Sequence, residues 1–396
     1  MKTKQFAVCL LTLLLCGMVS CFAIAEIPLD KPLATSGEGR LYQTHEDGFK
    51  VAVLNGSYFE MGKQYGELLK DDIDTVATLA SLAIVQMAGA DKAESIRELI
   101  RSQIDQYPKR FRDLLDGMAE GSGLPLEEVA IAEHVVSILI AVQEGLFCSS
   151  ITTWGDYTTE GQLVMGRNFD YPSMYRALAP QLCLVVFNPI DGSVPTAIFG
   201  YAGQICCVQA FNREGLVLEL NVALGLPDTD RDVHIDRITM PLLITQLALD
   251  CSTMTQLDAG MKTMRTNTSL LNTVADEQSG CTYELGTRST VKRAIDREGL
   301  NTATNFVYDP SWQSGSDDQR RSNLQNLAEK HTGQIDFEAM KQIIATPIQD
   351  GGACDTNGTL YQFVYEPATR TLSLRIPYAS KEWVDVELGP LFSAEK

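Results

Sequence analysis

Histidine is scarce in this sequence. The chain has 396 residues but only four histidines, which are His45, His134, His234 and His331. None of them stands in a motif typical of a catalytic triad, so the usual pairing of a nucleophile with a histidine base is not supported. Paired histidines and spaced cysteine pairs of the zinc type are missing, and so is a glycine-rich phosphate loop. The sequence therefore predicts no metal and no nucleotide cofactor.

Basic residues are also few. The chain carries 32 lysines and arginines against 51 aspartates and glutamates, which gives a formal net charge of -19. Such a surface repels phosphate backbones and anionic headgroups, so we expect no nucleic-acid partner. The charge indicates a well-solvated surface and does not point to a function.

Long apolar runs are confined to the start of the chain. Lys2 and Lys4 precede an apolar stretch, and Ala23-Ile-Ala25 offers the small-residue pattern of a signal-peptidase site. We predict a signal peptide over 1–25, cleavage near Ala25, and a secreted or periplasmic protein. A lipoprotein anchored through Cys21 is the minority interpretation, because Met18 is an imperfect first residue for that motif. An uncleaved anchor is disfavoured, since the stretch is shorter than the ~20 residues a spanning helix needs.

Seven cysteines lie outside the predicted leader. An exported protein can form disulfides, but an odd number leaves at least one thiol unpaired within the chain. If Cys148 is that thiol, up to three disulfides can form. The interpretation we prefer for Cys183, Cys206 and Cys207 is that they are small buried hydrophobes in β-rich runs.

The pattern of apolar residues changes near residue 148. From about 56 to 143, apolar residues recur at helical spacing, as in Met61, Tyr65 and Leu68. After Cys148, short runs rich in β-branched and aromatic residues alternate with turns. We predict strands at 149–154, 162–168, 181–188, 195–200, 204–212, 215–222 and 303–308. We predict helices at 237–249, 253–265, 317–329 and 336–344, and a closing hairpin from Leu360 to Ile376. Strands and helices in separate blocks indicate an α+β domain.

A thiol, an arginine and a carboxylate stand on two predicted neighbouring strands, in Cys148-Ser-Ser-Ile-Thr-Thr-Trp and Gly166-Arg-Asn-Phe-Asp170. A thiol does not need histidine if it belongs to the first residue of a chain, because the adjacent α-amine, with a pKa of about 8, can take its proton. That solution requires a new chain start at Cys148. The change from a helical to a strand-like pattern at the Phe147–Cys148 bond is typical of a removable prosegment. The alternative for Cys148 is a buried structural thiol.

Four short motifs follow one another along the chain. They are 56–66 (Gly-Ser-Tyr-Phe-Glu-Met-Gly with Tyr65-Gly66), 117–129 (Gly-Met-Ala-Glu-Gly-Ser-Gly-Leu-Pro-Leu-Glu-Glu-Val), Cys148-Ser-Ser, and Gly166 to Asp170. With the closing run from Asn357 to Pro367, they resemble the choloylglycine hydrolase and penicillin V acylase group of N-terminal nucleophile (Ntn) hydrolases. The sequence is most similar to the branch typified by acyl-coenzyme A:6-aminopenicillanic acid acyltransferase.

This resemblance implies a four-layer αββα sandwich. It also implies a mainly helical prosegment over 26–147, retained beside a catalytic chain over 148–396 after self-cleavage at Phe147–Cys148. The implied reaction is cleavage of a linear amide bond in a small N-acylated substrate through a thioester. A homo-oligomer is compatible with the sequence.

The roles that the resemblance implies fall on six residues. Cys148 is the nucleophile, Arg167 favours its thiolate, and Asp170 holds the new α-amine. Asn221 donates to the oxyanion, and Asn305 is a second asparagine near the thiol. The late arginine is Arg320, with its neighbour Arg321 as the alternative. Each has a simpler interpretation: a turn pair for Arg167 and Asp170, turn formers for the asparagines, and a helix-surface charge for Arg320.

Two positions depart from the family pattern. Phe147 stands where many relatives have glycine before the nucleophile, and Phe306 follows Asn305 where histidine is common. Three other functions stay open: acyl transfer to an amine, a noncatalytic exported protein that binds an acylated ligand, and a thiol peptidase that uses His134 or His234 as its base.

Overall fold

The computed structural model describes residues 27, 29, 31–44, 48–137, 148–171, 173–206, 208–226, 234–312, 318–378 and 382–393. The predicted signal peptide, with Cys21 and Ala25, lies outside these residues. So do Phe147 and Cys207. The predicted cleavages at Ala25 and at Phe147–Cys148 therefore stay predictions.

Helices form most of the described part of the chain before Cys148. Their bounds are α1 (Tyr58–Leu68), α2 (Lys70–Ala88), α3 (Ala90–Asp105), α4 (Lys109–Ser122) and α5 (Leu126–Glu133). The helix α1 begins at a capping box, in which Ser57 accepts from the Glu60 N–H and the Glu60 side chain accepts from the Ser57 N–H. Its apolar face is fully buried at Met61 and Tyr65.

Glycines explain two of the short motifs, because they let α1 and α4 pack backbone against backbone. A Cβ atom at Gly62 would lie 2.0 Å from the carbonyl oxygen of Leu114, and one at Gly117 would lie 2.1 Å from that of Phe59. No side chain fits at either position. The motifs around residues 62 and 117 therefore encode one close helix pair.

Strands within the described residues form two sheets. The larger has ten strands in the order β1-β2-β3-β6-β7-β8-β9-β10-β11-β12, and the smaller has six in the order β13-β4-β5-β14-β15-β16. Their bounds are β1 (Ala34–Ser36), β2 (Gly39–Gln43), β3 (Lys50–Gly56), β4 (Ser149–Thr153), β5 (Val164–Asp170), β6 (Leu182–Pro189), β7 (Thr196–Tyr201), β8 (Gln209–Asn212), β9 (Val217–Val222), β10 (Leu270–Ala275), β11 (Gly280–Leu285), β12 (Thr290–Lys292), β13 (Leu300–Ala303), β14 (Thr359–Glu366), β15 (Thr371–Arg375) and β16 (Val384–Glu387).

The two sheets pack face to face. Phe211 of β8 meets Phe363 of β14 with ring centroids 5.3 Å apart, and Phe199 of β7 meets Tyr361 of β14 at 5.1 Å. Aromatic pairs of this kind fill the roughly 10 Å between stacked sheets. The space between the sheets is therefore a core, and strands β5 and β9 bring polar side chains into it.

Helices cover the outer face of each sheet. The larger sheet is covered by α1 and by α6 (Met240–Asp250), and α7 (Met254–Thr263) follows α6 in the chain. The smaller sheet is covered by α8 (Gln319–Lys330) and α9 (Phe337–Ala345). A Cβ atom at Gly166 would lie 3.1 Å from the Met340 sulfur, so the glycine of the 166–170 motif lets α9 approach the sheet. These layers confirm the predicted α+β class and the αββα order.

Most predicted elements after Cys148 are confirmed, one strand is wrong as placed, and other strands were missed. The four predicted helices correspond to α6, α7, α8 and α9, and the closing hairpin to β14 and β15. The strand predicted at 303–308 is wrong as placed, because β13 ends at Ala303 and Phe306 forms only an isolated bridge with Leu224. Strands β10, β11 and β12 were not predicted. Polar residues of β10 and β11, such as Asn272 and Glu284, are fully buried, so these strands lack the continuous apolar run of a core strand.

The region before Cys148 also contributes more than the predicted helices. Strands β1, β2 and β3 belong to the larger sheet, and β3 pairs in parallel with β6 over Lys50 to Gly56. Residues before and after Cys148 therefore share one sheet. None of the helices in the described part of the chain is both long and apolar enough to cross a membrane.

Candidate active site

Cys148 immediately precedes β4, and its side chain is 97% buried, with 3% relative exposure. The N–H of Asp170 donates to the Cys148 sulfur, because β4 and β5 pair antiparallel and bring the two residues together. Burial raises the pKa of the Cys148 thiol above its usual value, and the nearby Arg167 cation partly opposes that rise. In the uncut chain the group is therefore a protonated thiol at neutral pH.

Arg167 of β5 is completely buried between the two sheets. It forms an ion pair with Glu219 of β9, with 2.9 Å between Nε and Oε2. Burial alone would lower the pKa of Arg167, but Glu219 and the Cys148 thiol raise it, and the net shift is upward. Its other acceptors are the Val208 carbonyl at 3.0 Å, Gln209 Oε1 at 2.8 Å, the Leu220 carbonyl and Asn221 Oδ1 at 3.2 Å. Arg167 is thus a permanent, fixed cation beside the thiol.

Asp170 ends β5 and is buried close to Cys148. The Thr359 hydroxyl donates to its Oδ1 at 2.6 Å, and the Arg320 guanidinium lies 3.8 Å from its Oδ2. Its Oδ2 is buried and accepts no hydrogen bond within the described residues. Burial raises the pKa of Asp170 to about 7, against the opposing effects of Thr359 and Arg320. This oxygen is available to a further hydrogen-bond donor.

The structure separates the two candidate late arginines. Arg320, near the start of α8, donates to the carbonyl of Cys148 at 3.1 Å and pairs with Asp318 at 2.7 Å. Arg321 forms an ion pair with Asp296 and lies 4.0 Å from the centre of the Tyr308 ring. Of these two arginines, only Arg320 therefore contacts Cys148.

Two asparagines complete the surroundings of the thiol, and each is held through its carbonyl oxygen by an arginine. Arg167 donates to Asn221 at 3.2 Å, and Arg320 donates to Asn305 at 3.2 Å. The Nδ2 of Asn305 donates to the Val222 carbonyl at 3.0 Å. The Nδ2 of Asn221 is buried and has no acceptor among the described residues. Asn221 can therefore donate to a bound substrate, whereas the amide of Asn305 already holds the backbone.

A small cavity opens beside the thiol. Besides Cys148 and Asn221, its walls are apolar or aromatic: Phe169, Tyr171, Val208, Leu220, Val222, Pro241 and Leu270. Such a lining suits an apolar group bonded to the sulfur. The structure thus brings all six predicted residues to one buried site.

Glu219 and Thr359 belong to this site and were not predicted. Glu219 is completely buried, pairs with Arg167 and accepts from the Ser150 hydroxyl at 2.7 Å. A glutamate between Leu218 and Leu220 in a predicted strand was an available signal, because a buried carboxylate requires a partner. Thr359 lies in the closing run from Asn357 to Pro367, but nothing in that run singled it out as a partner of Asp170.

The histidines proposed for a peptidase mechanism are engaged elsewhere. His134 is buried, with Nδ1 3.0 Å from the Ala130 carbonyl and Nε2 3.4 Å from the Tyr107 hydroxyl. Burial lowers the pKa of His134 to about 4. His234 lies near Asp236, with 3.8 Å between Nδ1 and Oδ1. Neither arrangement resembles a base for Cys148.

The described cysteines and acidic residues form neither disulfides nor metal sites. Cys148, Cys183, Cys206, Cys251, Cys281 and Cys354 are buried and not in disulfides. Within the described ranges, no group of three or more histidine, cysteine, aspartate or glutamate residues could hold a metal ion.

Comparison with known families gives a match that covers more than half of the chain. The family model described as acyl-coenzyme A:6-aminopenicillanic acid acyl-transferase matches residues 157–381. The matched span contains five of the six candidate residues, and Cys148 lies nine residues before its start. No curated protein sequence matches the chain.

Solved structures that resemble this chain do so at low identity. An N-acylethanolamine-hydrolyzing acid amidase ortholog from Caenorhabditis elegans is 19% identical, with a TM-score of 0.43 over 56% of this chain and 93% of that one. A mutant conjugated bile acid hydrolase from Clostridium perfringens is 11% identical, with a TM-score of 0.42 over 63% of this chain and 95% of that one. Penicillin V acylase from Agrobacterium tumefaciens is 11% identical, with a TM-score of 0.37 over 58% and 83%.

Proposed function

Because this chain belongs to the acyl-coenzyme A:6-aminopenicillanic acid acyl-transferase family, we propose that it is an Ntn amidase with Cys148 as its nucleophile. It cleaves the linear amide bond of a small N-acylated substrate. The observation that carries the proposal is the convergence of Arg167, Asp170 and Asn221 on one buried thiol. A structural cysteine does not require a buried cation, a buried carboxylate and an unpaired amide donor around it.

Self-cleavage creates the base that the site lacks. The Cys148 sulfur adds to the carbonyl carbon of residue 147, and the peptide nitrogen leaves as the α-amine of Cys148. Water then hydrolyses the resulting thioester, which releases the carboxyl group of residue 147. Arg320 supports this step because it fixes the Cys148 carbonyl at 3.1 Å. The unpaired Oδ2 of Asp170 is the acceptor that the new amine would meet.

The mature site would then carry out acyl transfer to sulfur. The α-amine takes the thiol proton as the sulfur attacks the substrate carbonyl, and Arg167 stabilises the thiolate. The C–N bond breaks as the α-ammonium returns a proton to the leaving nitrogen. Water attacks the thioester in the same way, the C–S bond breaks, and an acid leaves. Asn221 supports both tetrahedral states through its unpaired Nδ2.

The lining of the cavity suggests the kind of acyl group. Val208, Leu220 and Leu270 line the cavity beside Cys148, and Phe169 and Tyr171 add aromatic walls. These side chains offer apolar contact and no charge. We therefore propose an apolar acyl group, with specificity for the amine set elsewhere.

Acyl transfer to a second amine is the alternative within the same chemistry, and the activity for which the matching family is named favours it. Hydrolysis is the version we propose, because the predicted signal peptide directs the chain out of the cell. Water is abundant there, whereas activated acyl donors such as coenzyme A esters are not. Adding an amine acceptor to the assay separates the two outcomes.

The test is to trap the thioester. The processed protein is mixed with the 4-nitroanilides of phenylacetic and decanoic acid, quenched in acid and digested for mass spectrometry. We expect the acyl mass on the peptide that begins at Cys148, together with release of 4-nitroaniline. Turnover with an unmodified Cys148 peptide at every time point would contradict the proposal. A Cys281→Ala variant is the matched control, because Cys281 is also buried but lies in β11.

A further inference from the structure

A second cavity lies away from the catalytic thiol. It has a volume of about 450 Å³, within the usual range for small-molecule sites. Its apolar walls include Phe49, Leu182 and Ile376, and its polar walls include Lys50, Arg176 and Tyr378. It shares no lining residue with the cavity beside Cys148.

Arg176 is the cation of this cavity that lacks a neutralising partner. Its Nη2 donates to the Asn357 carbonyl at 2.8 Å, and its guanidinium lies 4.9 Å from the centre of the Tyr378 ring. Over the described ranges, no carboxylate pairs with Arg176, and its buried Nε has no hydrogen-bond partner. In a chain with a net charge of -19, an arginine without an acidic partner requires an explanation.

The other two polar groups define the charge of the ligand. Lys50 is already paired with Asp72 at 2.5 Å, so it adds little net charge to the cavity. The Tyr378 hydroxyl is buried and has no partner among the described residues. The cavity thus holds about one uncompensated positive charge and one hydroxyl donor that has no partner among the described residues. That combination fits a monoanion better than a dianionic phosphate.

We infer that this cavity is a binding site for an amphiphilic carboxylate. Its carboxylate pairs with Arg176 and accepts from Tyr378 after a small movement of these side chains. Its apolar part packs against Phe49, Leu182 and Ile376. The carboxylate accepts hydrogen bonds from the unpaired donors, and the apolar walls contact the rest of the ligand. The inference stands on this cavity alone and does not depend on the proposed amidase activity.

Photolabelling of the full chain tests this site directly. The probe is a decanoic acid that carries a diazirine at the end of its alkyl chain, and labelled peptides are identified by mass spectrometry. We expect label near Phe49 or near Ile376 and Tyr378. We also expect the Arg176→Gln variant to lower that label roughly tenfold, as for loss of one charged hydrogen bond. The Arg112→Gln variant, which removes an exposed arginine of α4, is the matched control and should label like the wild type.

Two further measurements keep the test decisive. If Arg176→Gln does not fold, because Arg176 also holds the Asn357 carbonyl, then Tyr378→Phe replaces it and should lower the label several-fold. The matching diazirine decanol should label this cavity much less than the acid does. Label that is confined to the 208–222 region, that is unchanged in these variants, or that is equal for acid and alcohol would overturn the inference.

Discussion

Two arginine–asparagine pairs flank Cys148, and they differ in what they leave unpaired. Arg167 and Asn221 lie between the sheets, where Arg167 is paired with the buried Glu219. Arg320 and Asn305 lie toward α8, where Arg320 is paired with Asp318. The Nδ2 of Asn221 has no acceptor in the described chain, whereas that of Asn305 donates to a carbonyl.

This difference indicates that the two arginine–asparagine pairs have different roles. The pair between the sheets presents a cation and an unused donor to the sulfur and to the cavity beside it. The pair near α8 holds backbone, namely the carbonyls of Cys148 and Val222. We therefore expect the Arg167 pair to affect the turnover of bound substrate. We expect the Arg320 pair to affect self-cleavage before Cys148 and the position of the backbone near Cys148 and Val222.

The largest effect should come from removing Arg167. The Arg167→Met variant leaves Glu219 as an uncompensated buried charge, which typically costs about 3–5 kcal/mol of the free energy of unfolding. Urea denaturation measures this loss, and activity should disappear with it. Adding Glu219→Gln should restore part of the stability but none of the activity. A stable single variant would contradict the proposed importance of the ion pair.

The two asparagines should differ in the turnover number. Asn221→Ala removes the proposed oxyanion donor, and we expect kcat for the 4-nitroanilides to fall by about 10²–10³-fold. Asn305→Ala removes one backbone hydrogen bond, and we expect a loss of about 1 kcal/mol in unfolding free energy with a smaller effect on kcat. Equal losses of kcat in the two variants would remove the distinction between the pairs.

Protonation of Asp170 should appear in the pH dependence of stability. A carboxyl group whose pKa is raised on folding, here from 3.8 to about 7, stabilises the folded state below its unfolded pKa. It loses that contribution as the pH rises through the folded pKa. In the uncut Cys148→Ala chain, unfolding free energy should therefore fall by about 2 kcal/mol between pH 5 and pH 7. The slope should be weaker with Asp170→Asn added, and an unchanged slope would show that Asp170 is already ionised at pH 5.

The smallest expected effect separates two neighbours on α8. Arg320→Gln removes the donor to the Cys148 carbonyl, so self-cleavage of pulse-labelled chain should slow about tenfold. Arg321→Gln should leave the rate within about twofold, since Arg321 pairs with Asp296 instead. The reverse order would assign the site to Arg321.

Local patterns in the sequence predicted that Cys148, Arg167 and Asp170 lie together, whereas Asn221, Asn305 and Arg320 followed from the family resemblance. Cys148, Arg167 and Asp170 stand on paired strands β4 and β5, so residues close in sequence are also close in space. The choice between Arg320 and Arg321 could not be made, because adjacent residues point about 100° apart on a helix whose rotation the sequence does not give. In the structure, Asp318 caps α8 and holds Arg320 toward Cys148.

The unpredicted parts depend on contacts between distant segments. Glu219 pairs with Arg167 across the two sheets, 52 positions along the chain. Strand β10 carries buried polar side chains that bond to its neighbours in the sheet. Asn272 donates to the Glu219 carbonyl of β9 at 2.8 Å, and the Thr273 hydroxyl lies 3.2 Å from that of Thr282 in β11. Alternation of apolar and polar residues cannot reveal such strands, because both faces are buried.

We propose that Cys148 becomes the first residue of a catalytic chain. Intact mass and N-terminal sequencing of purified protein, beside a Cys148→Ala variant, test it most directly. We expect a fragment that begins at Cys148 in the wild type and an uncut chain in the variant. An uncut, folded chain in both would contradict self-processing and would favour a noncatalytic protein that binds an acylated ligand.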